Sequence, residues 1–111
     1  MTKSFLTSSA KKQEQDRVVK YIKNHVELTN GDQINKVEFI DFQNNEMIGT
    51  WVISTEINGT YSIGFSEDKF SGELISLGYK TSELEVSTKT KNKSESIDDI
   101  KVIYSKLNLL Y

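Results

Sequence analysis

The residues from 47 to 65 constrain the fold most strongly, because apolar and polar side chains alternate on both sides of an Asn-Gly pair at 58–59. Alternation with a period of two is typical of a strand with one buried face. A short Asn-Gly loop between two such runs indicates a hairpin, since both turn residues adopt positive φ. The segment therefore predicts a β-hairpin whose first strand covers 47–57. Three apolar side chains of that strand share one face: Trp51, Ile53 and Ile57.

A helical pattern precedes the hairpin and covers residues 10–28. Val18, Ile22 and Val26 recur at intervals of four, which places them on one stripe of an α-helix. The Thr-Asn-Gly sequence at 29–31 is a typical stop signal. These features predict one amphipathic helix whose apolar stripe covers the sheet.

Other segments of the chain alternate more briefly and predict further strands. Strands are expected over 36–42, 73–79, 82–88 and 100–104, a turn at 44–46, and polar loops over 66–71 and 89–95. No second helix is expected between them, so neighbouring strands should be antiparallel. The predicted fold class is α+β, with an N-terminal amphipathic helix packed on an antiparallel sheet of four to six strands.

The length of 111 residues fits a single domain. Residues 1–9 are expected to form a flexible tail, which one interpretation treats as the remnant of an anchor region. Residues 10–111 are expected to form the single α+β domain. The sequence contains no apolar run near the ~20 residues that a membrane span needs.

The charges are unevenly distributed, although the formal net charge is only −2. Residues 1–28 carry six Lys/Arg and three Asp/Glu, residues 29–76 carry two and eight, and residues 77–111 carry six and five. The overall balance argues against nucleic acid as a partner. The acidic middle has two readings, a solvated sheet face or a surface that meets a basic partner. The basic side of the helix is expected to face solvent: Lys11, Lys12, Arg17, Lys20 and Lys23.

The inventory of reactive side chains predicts no catalytic, cofactor-binding or metal-binding residue. Cysteine is absent and His25 is the only histidine, so a zinc site would lack its usual ligands. The acid pairs at 67–68 and 98–99 are expected to be solvated turn residues. Trp51 is expected to pack in the core, with ligand stacking as the alternative. The chain is therefore predicted not to be an enzyme and to need no cofactor.

Three segments carry a family resemblance. They are Lys11-Lys12-Gln13-Glu14 leading into Val18-Val19-Lys20-Tyr21-Ile22, then Gly49-Thr50-Trp51-Val52-Ile53, and finally Ile100-Lys101-Val102-Ile103-Tyr104. In this order of parts the chain resembles small uncharacterised anchored surface or lipoprotein-type families of Gram-positive bacteria. The resemblance implies a cystatin-like helix-plus-sheet fold, an N-terminal anchor and no catalytic residues. The lipid-bearing cysteine of such families is missing from this sequence.

Together these observations predict a non-catalytic binding or interaction domain, the extracytoplasmic part of a small anchored bacterial protein. Its partner would be an unidentified protein or cell-envelope component, with membrane tethering through a segment that this chain lacks. The alternative is a cytoplasmic protein of immunity or inhibitor type that uses an acidic sheet face to block a basic partner. An enzyme is the third reading, and it would need an acid or a histidine inside a pocket.

Overall fold

Secondary structure is described for residues 8–88 and 96–105 of the computed structural model, which form one helix and seven strands. The elements are α1 (Ser8–His25), β1 (Val26–Leu28), β2 (Lys36–Asn45), β3 (Thr50–Ile57), β4 (Tyr61–Glu67), β5 (Ile75–Leu77), β6 (Leu84–Val86) and β7 (Lys101–Ile103). A five-stranded sheet has the order β5-β4-β3-β2-β7, and β1 and β6 form a separate two-stranded sheet. The predicted α+β class is confirmed.

The apolar stripe of α1 covers the five-stranded sheet, as the spacing predicts. Val18 and Ile22 are fully buried, and Tyr21 packs edge to face on Phe65 of β4 with 5.4 Å between ring centroids. Burial of these branched side chains between helix and sheet supplies the main apolar stabilisation. The sheet contributes the following residues to the same core cluster: Val37, Phe39, Ile53, Ile57, Ile63 and Phe65.

The helix ends at His25, three residues earlier than predicted, because Val26–Leu28 forms β1. The two outer residues of β1 are buried and the middle one is exposed, which is the alternation of a strand. This segment pairs antiparallel with β6. The predicted stop at 29–31 forms the turn after β1, where the Gly31 amide donates to the Leu28 carbonyl at 3.0 Å.

The Asn-Gly hairpin between β3 and β4 is confirmed. Asn58 has φ 54° and Gly59 has φ 72°, and the Thr60 amide donates to the Ile57 carbonyl at 3.0 Å. Because Ile57 pairs with Tyr61, the loop between paired residues has three members rather than two. The Asn58 side chain adds tertiary contacts, since its Oδ1 accepts the amides of residues 35 and 36 at 2.9 and 3.1 Å.

Several predicted strand boundaries are wrong. Strand β3 starts at Thr50 rather than at 47, and β4 extends through Glu67, which was expected in a loop. Strands β5 and β6 keep only the central three residues of the predicted runs. The predicted loop at 89–95 and residues 1–7 of the predicted tail lie outside the described residues, and residues 8 and 9, which were assigned to that tail, belong to α1.

The last strand departs from the predicted antiparallel arrangement. Strand β7 pairs parallel with β2, with Lys36 opposite Lys101 and Val37 opposite Val102. Parallel pairing requires a long crossover between the two strands, and the chain between β2 and β7 provides it. Short strands late in the sequence carry no signal for that direction, so alternation alone could not reveal it.

Candidate functional site

The turn half of the β2–β3 hairpin, residues 40–50, is exposed on its β2 side, because β7 pairs only with residues 36–38 of β2, whereas β3 stays paired with β4 as far as Trp51. Residues 40–45 of β2 are exposed except for Phe42, which is partly buried. A β-bulge between Phe39 and Asp41 interrupts the register where this half begins, and bulges bend a strand and increase its twist. The molecule measures 48 × 29 × 24 Å.

Two bulky apolar side chains occupy the turn of this hairpin. Met47 is 95% exposed and Ile48 is 66% exposed. Both were predicted inside a strand, but they lie in a turn that is closed by the Gly49 amide, which donates to the Asn45 carbonyl at 2.8 Å. The Met47 amide donates to the Asn45 side-chain oxygen at 3.1 Å, and Gly49 has φ 67°. We call Met47 and Ile48 the hairpin tip; the turn beneath it has a defined backbone.

Three aromatic rings support the turn half of the hairpin. Ring centroids lie 5.3 Å apart for Phe42 and Trp51, 4.7 Å for Trp51 and Phe70, and 5.7 Å for Phe42 and Phe70. We call these residues the aromatic trio. Trp51 is buried, in agreement with the core prediction. Phe70 comes from the loop between β4 and β5, so the trio joins the hairpin to that loop.

An ion cluster lies next to the trio and consists of Glu14, Arg17 and Glu67. Arg17 Nη2 lies 2.7 Å from Glu14 Oε2 and 2.6 Å from Glu67 Oε1. The side chains of Glu14 and Glu67 are 5% and 0% exposed. The expectation that the acids at 67–68 are solvated is wrong for Glu67. It is the last residue of β4, paired directly with Trp51.

The two carboxylates of the ion cluster have opposite pKa shifts. Burial, together with the hydrogen bond and negative charge of Glu14, raises the pKa of Glu67 to about 8 against the effect of Arg17. Burial also opposes ionisation of Glu14, but bonds from Arg17, Glu67 and the Ser71 amide outweigh it and lower the pKa of Glu14. The pair therefore titrates as a unit that holds one proton at neutral pH.

The helix side that was predicted to be solvated is partly engaged in contacts. Arg17 belongs to the ion cluster, and Lys23 Nζ lies 2.9 Å from Asp99 and 2.7 Å from the Ser96 carbonyl. Lys12 pairs with Asp16 at 3.1 Å. The sequence pattern identified these residues as polar but not their partners, which lie far away in the chain for Arg17 and Lys23.

His25, the only histidine, makes contacts that are typical of a structural residue. His25 Nδ1 lies 2.8 Å from the Ser87 carbonyl, and its ring packs on Tyr21 at 4.4 Å between centroids. Within the described ranges, no group of three or more His, Cys, Asp and Glu side chains could hold a metal ion. Asp99 is exposed, as expected for a turn residue.

A surface cleft of about 360 Å³ lies at the other end of α1, beside β1 and residues 31–35.

The turn half of the hairpin carries Asp41 and Glu46 and no Lys or Arg. Residues 37–68 contain six Asp or Glu and no Lys or Arg. Glu38 of β2 lies directly opposite Glu56 of β3, and like charges in that position repel each other. That pair lies at the open end of the hairpin, beside Val37 and Ile57, whereas the charged residues nearest the hairpin tip are Glu46 and Asp41.

Comparison of the chain with protein-family models, curated proteins and solved structures returned no match. Of the helices in the described part of the chain, none is long and apolar enough to span a membrane.

Proposed function

We propose that this protein is a non-catalytic binding domain that contacts a partner protein through the tip of the β2–β3 hairpin. The observation that carries the proposal is the exposure of Met47 at the turn, with Ile48 beside it. The partner surface is an apolar pocket with a basic rim.

The apolar part of the proposal rests on the cost of leaving the tip in water. Burying one such side chain completely is worth ~1.5–3 kcal/mol, and Met47 and Ile48 are adjacent. Methionine also adapts its shape to irregular pockets. The tip is therefore suited to insertion into a concave surface rather than to contact with a flat one.

The basic rim follows from the charge of the hairpin. Asp41 and Glu46 are exposed on the turn half of the hairpin, which contains no Lys or Arg. Complementary charge accelerates encounter and excludes acidic partners.

The aromatic trio supports the proposal by fixing the hairpin beside its turn, since Trp51 is paired with Asn44. A contact element that is already ordered loses less conformational entropy on binding. Trp51 and Phe70 hold the hairpin to the rest of the domain at 4.7 Å between centroids, and the Asn45 side chain orders the turn.

The test compares partner binding by the native chain and two matched variants. A tip variant carries Met47→Ser and Ile48→Ser, and a control carries Ile75→Ser, which removes an exposed apolar side chain from β5. Binding to a purified partner, first identified by affinity capture from cells that express the native gene, should weaken at least tenfold in the tip variant only. Equal binding by the tip variant would refute the proposal.

A second candidate is the inhibitor or immunity type, in which the acidic sheet face itself covers a basic partner. The facing pair Glu38 and Glu56 favours it, because like charges opposed across two strands are unfavourable unless something offsets them. Glu38→Gln with Glu56→Gln should then abolish binding while the tip variant retains it. The opposite result supports the tip.

We also propose an extracytoplasmic, membrane-tethered location for the native protein, as the family resemblance implies. The support is the pattern of helix and strand segments quoted above. Fractionation of cells that express the native gene tests it. Recovery of the protein with the membrane fraction supports the location, and recovery with the cytosol favours the inhibitor type.

A further inference from the structure

We propose that the ion cluster is a proton-operated clamp, which holds the loop between β4 and β5 against α1 and, through Phe70, fixes the β2–β3 hairpin beside its turn. The clamp is closed when Glu14 and Glu67 share a proton and loosens when both are ionised. It operates in the isolated domain, whether or not the hairpin has the partner proposed above.

Two residues of α1 form hydrogen bonds with the backbone of the loop between β4 and β5. Arg17 Nη2 donates to the Gly72 carbonyl at 2.8 Å, and the Ser71 amide donates to Glu14 Oε1 at 3.3 Å. Ser71 has φ 69°, a left-handed conformation that serine rarely adopts. Such a conformation persists where surrounding contacts hold it. The carboxylate of Glu14 is one of those contacts, so the shape of the loop depends on the cluster.

The loop transmits the state of the cluster to the hairpin. Phe70 directly precedes Ser71, and its ring packs on Trp51 and Phe42. Glu67 directly precedes the loop and is paired with Trp51. A shift of the loop away from α1 therefore moves Phe70 relative to the only tryptophan of the sequence.

The charge balance of the cluster determines when the clamp opens. From α1, Glu14 and Arg17 face Glu67; from β3, the facing residue is Trp51, which carries no charge. The charged residues of the loop, which are Asp68, Lys69 and Glu73, are exposed. With one shared proton, one carboxylate charge balances Arg17. With none, a second negative charge occupies a buried site.

One atom shows that this second charge would be poorly stabilised. Glu67 Oε2 is buried and accepts no hydrogen bond from the described residues. A buried carboxylate oxygen without a donor disfavours the ionised form. The raised pKa of Glu67, about 8, is consistent with this geometry and places the opening of the clamp just above neutral pH.

The test follows Trp51 fluorescence and the side-chain carboxyl ¹³C signals from pH 6 to pH 9.5 in the isolated protein. We expect one transition, with a midpoint near pH 8, in the Glu67 carboxyl signal and in Trp51 emission. Far-UV circular dichroism should stay constant, since the helix and sheet persist. A Glu67 carboxyl that is already ionised at pH 6, or a Trp51 emission that stays flat while Glu67 titrates, would overturn the proposal.

Substitutions in the ion cluster test whether the transition in Trp51 emission arises from Glu67. Glu67→Gln keeps the shape of the side chain without the ionisation, so the Trp51 transition should disappear. Glu14→Gln removes the hydrogen bond and the charge of Glu14 but leaves Glu67 buried beside Arg17, so the transition should move to lower pH; this variant decides the matter if Glu67→Gln fails to fold. The exposed neighbour Asp68→Asn and the lone histidine His25→Gln should leave the midpoint unchanged. Persistence of the transition near pH 8 in Glu14→Gln, or its loss in His25→Gln, would contradict the clamp.

Discussion

Trp51 of β3 is paired directly with Glu67 of β4, so the only tryptophan of the sequence and a fully buried carboxylate are neighbours on one face of the sheet. This pairing joins the two unusual features of the domain. The aromatic trio packs against the turn half of the β2–β3 hairpin. The ion cluster contacts α1 and the loop between β4 and β5. The order of the hairpin beside its turn and the ionisation of the cluster are therefore linked.

Ile22→Ala should destabilise the protein by about 2–4 kcal/mol, because the side chain is fully buried between α1 and the sheet. Chemical denaturation measures the change. Gln13→Ala is the matched control, since Gln13 is exposed on the same helix, and it should stay within about 0.5 kcal/mol of the native chain. A similar small loss for Ile22→Ala would mean that the helix does not cover the sheet.

Gly59→Val should destabilise by about 1–3 kcal/mol, because a β-branched residue resists the φ of 72° that the turn requires. Steric contact is not the reason, since the nearest atom that an added Cβ would meet is Lys36 Nζ at 3.9 Å. Gly59→Asn is the control, because asparagine tolerates the left-handed region. Equal midpoints of unfolding for the Val and Asn variants would show that the turn adopts another conformation in solution.

The free energy of unfolding should fall as the pH rises from about 4.5 to about 8. The ordinary pKa of a glutamate is 4.5, and that of Glu67 in the folded protein is raised to about 8. Between these two pH values the folded state therefore holds more protons than the unfolded state. The stabilisation from Glu67 is fully present below about pH 4.5 and is lost as the pH rises to about 8. The slope is at most about 1.4 kcal/mol per pH unit for one proton. Urea denaturation at several pH values measures it, with Glu67→Gln as the variant that removes the slope.

The lowered pKa of Glu14 acts in the opposite sense. Its contribution is present above the ordinary glutamate pKa and is lost as the pH falls further. The native protein should therefore be most stable in mildly acidic solution, near the lower end of the window. A maximum of stability above pH 8 would contradict the assignment of the shared proton.

Arg17→Met should destabilise the protein by up to about 3 kcal/mol at neutral pH, because two buried carboxylates then lose their only cationic partner in the cluster. Lys12→Met removes an exposed cation that pairs with Asp16 on the same helix, and it should cause no measurable loss. Thermal unfolding of both variants provides the comparison. Equal melting temperatures would show that Arg17 is solvated, as the helix pattern alone suggests.

The parts of the fold that follow from local chemistry could be predicted. The helix stripe of Val18 and Ile22, the face shared by Trp51 and Ile53, and the turn at Gly59 all depend on residues near each other in the chain. Periodicity and turn preference report such relations directly.

The candidate site could not be predicted in the same way. Met47 and Ile48 directly precede the alternating run and were therefore assigned to its strand, whereas the turn closed by Asn45 and Gly49 places them at the tip. Glu67 looks like a loop acid next to Asp68, and its burial depends on Arg17, fifty residues away. The Asn45 side chain was the one local signal for the tip, since asparagine before a turn often accepts a backbone amide.

The most direct test of the hairpin as the binding element is site-specific photo-crosslinking. A photoreactive amino acid replaces Glu46, which precedes the tip, in cells that express the native gene; a second variant carries it at Lys80, which is exposed between β5 and β6. We expect the probe at Glu46 to capture one basic protein and the probe at Lys80 not to capture it, with the crosslinked peptide lining an apolar pocket of that protein. Capture at Lys80 and not at Glu46 would contradict the assignment of the hairpin tip as the contact surface.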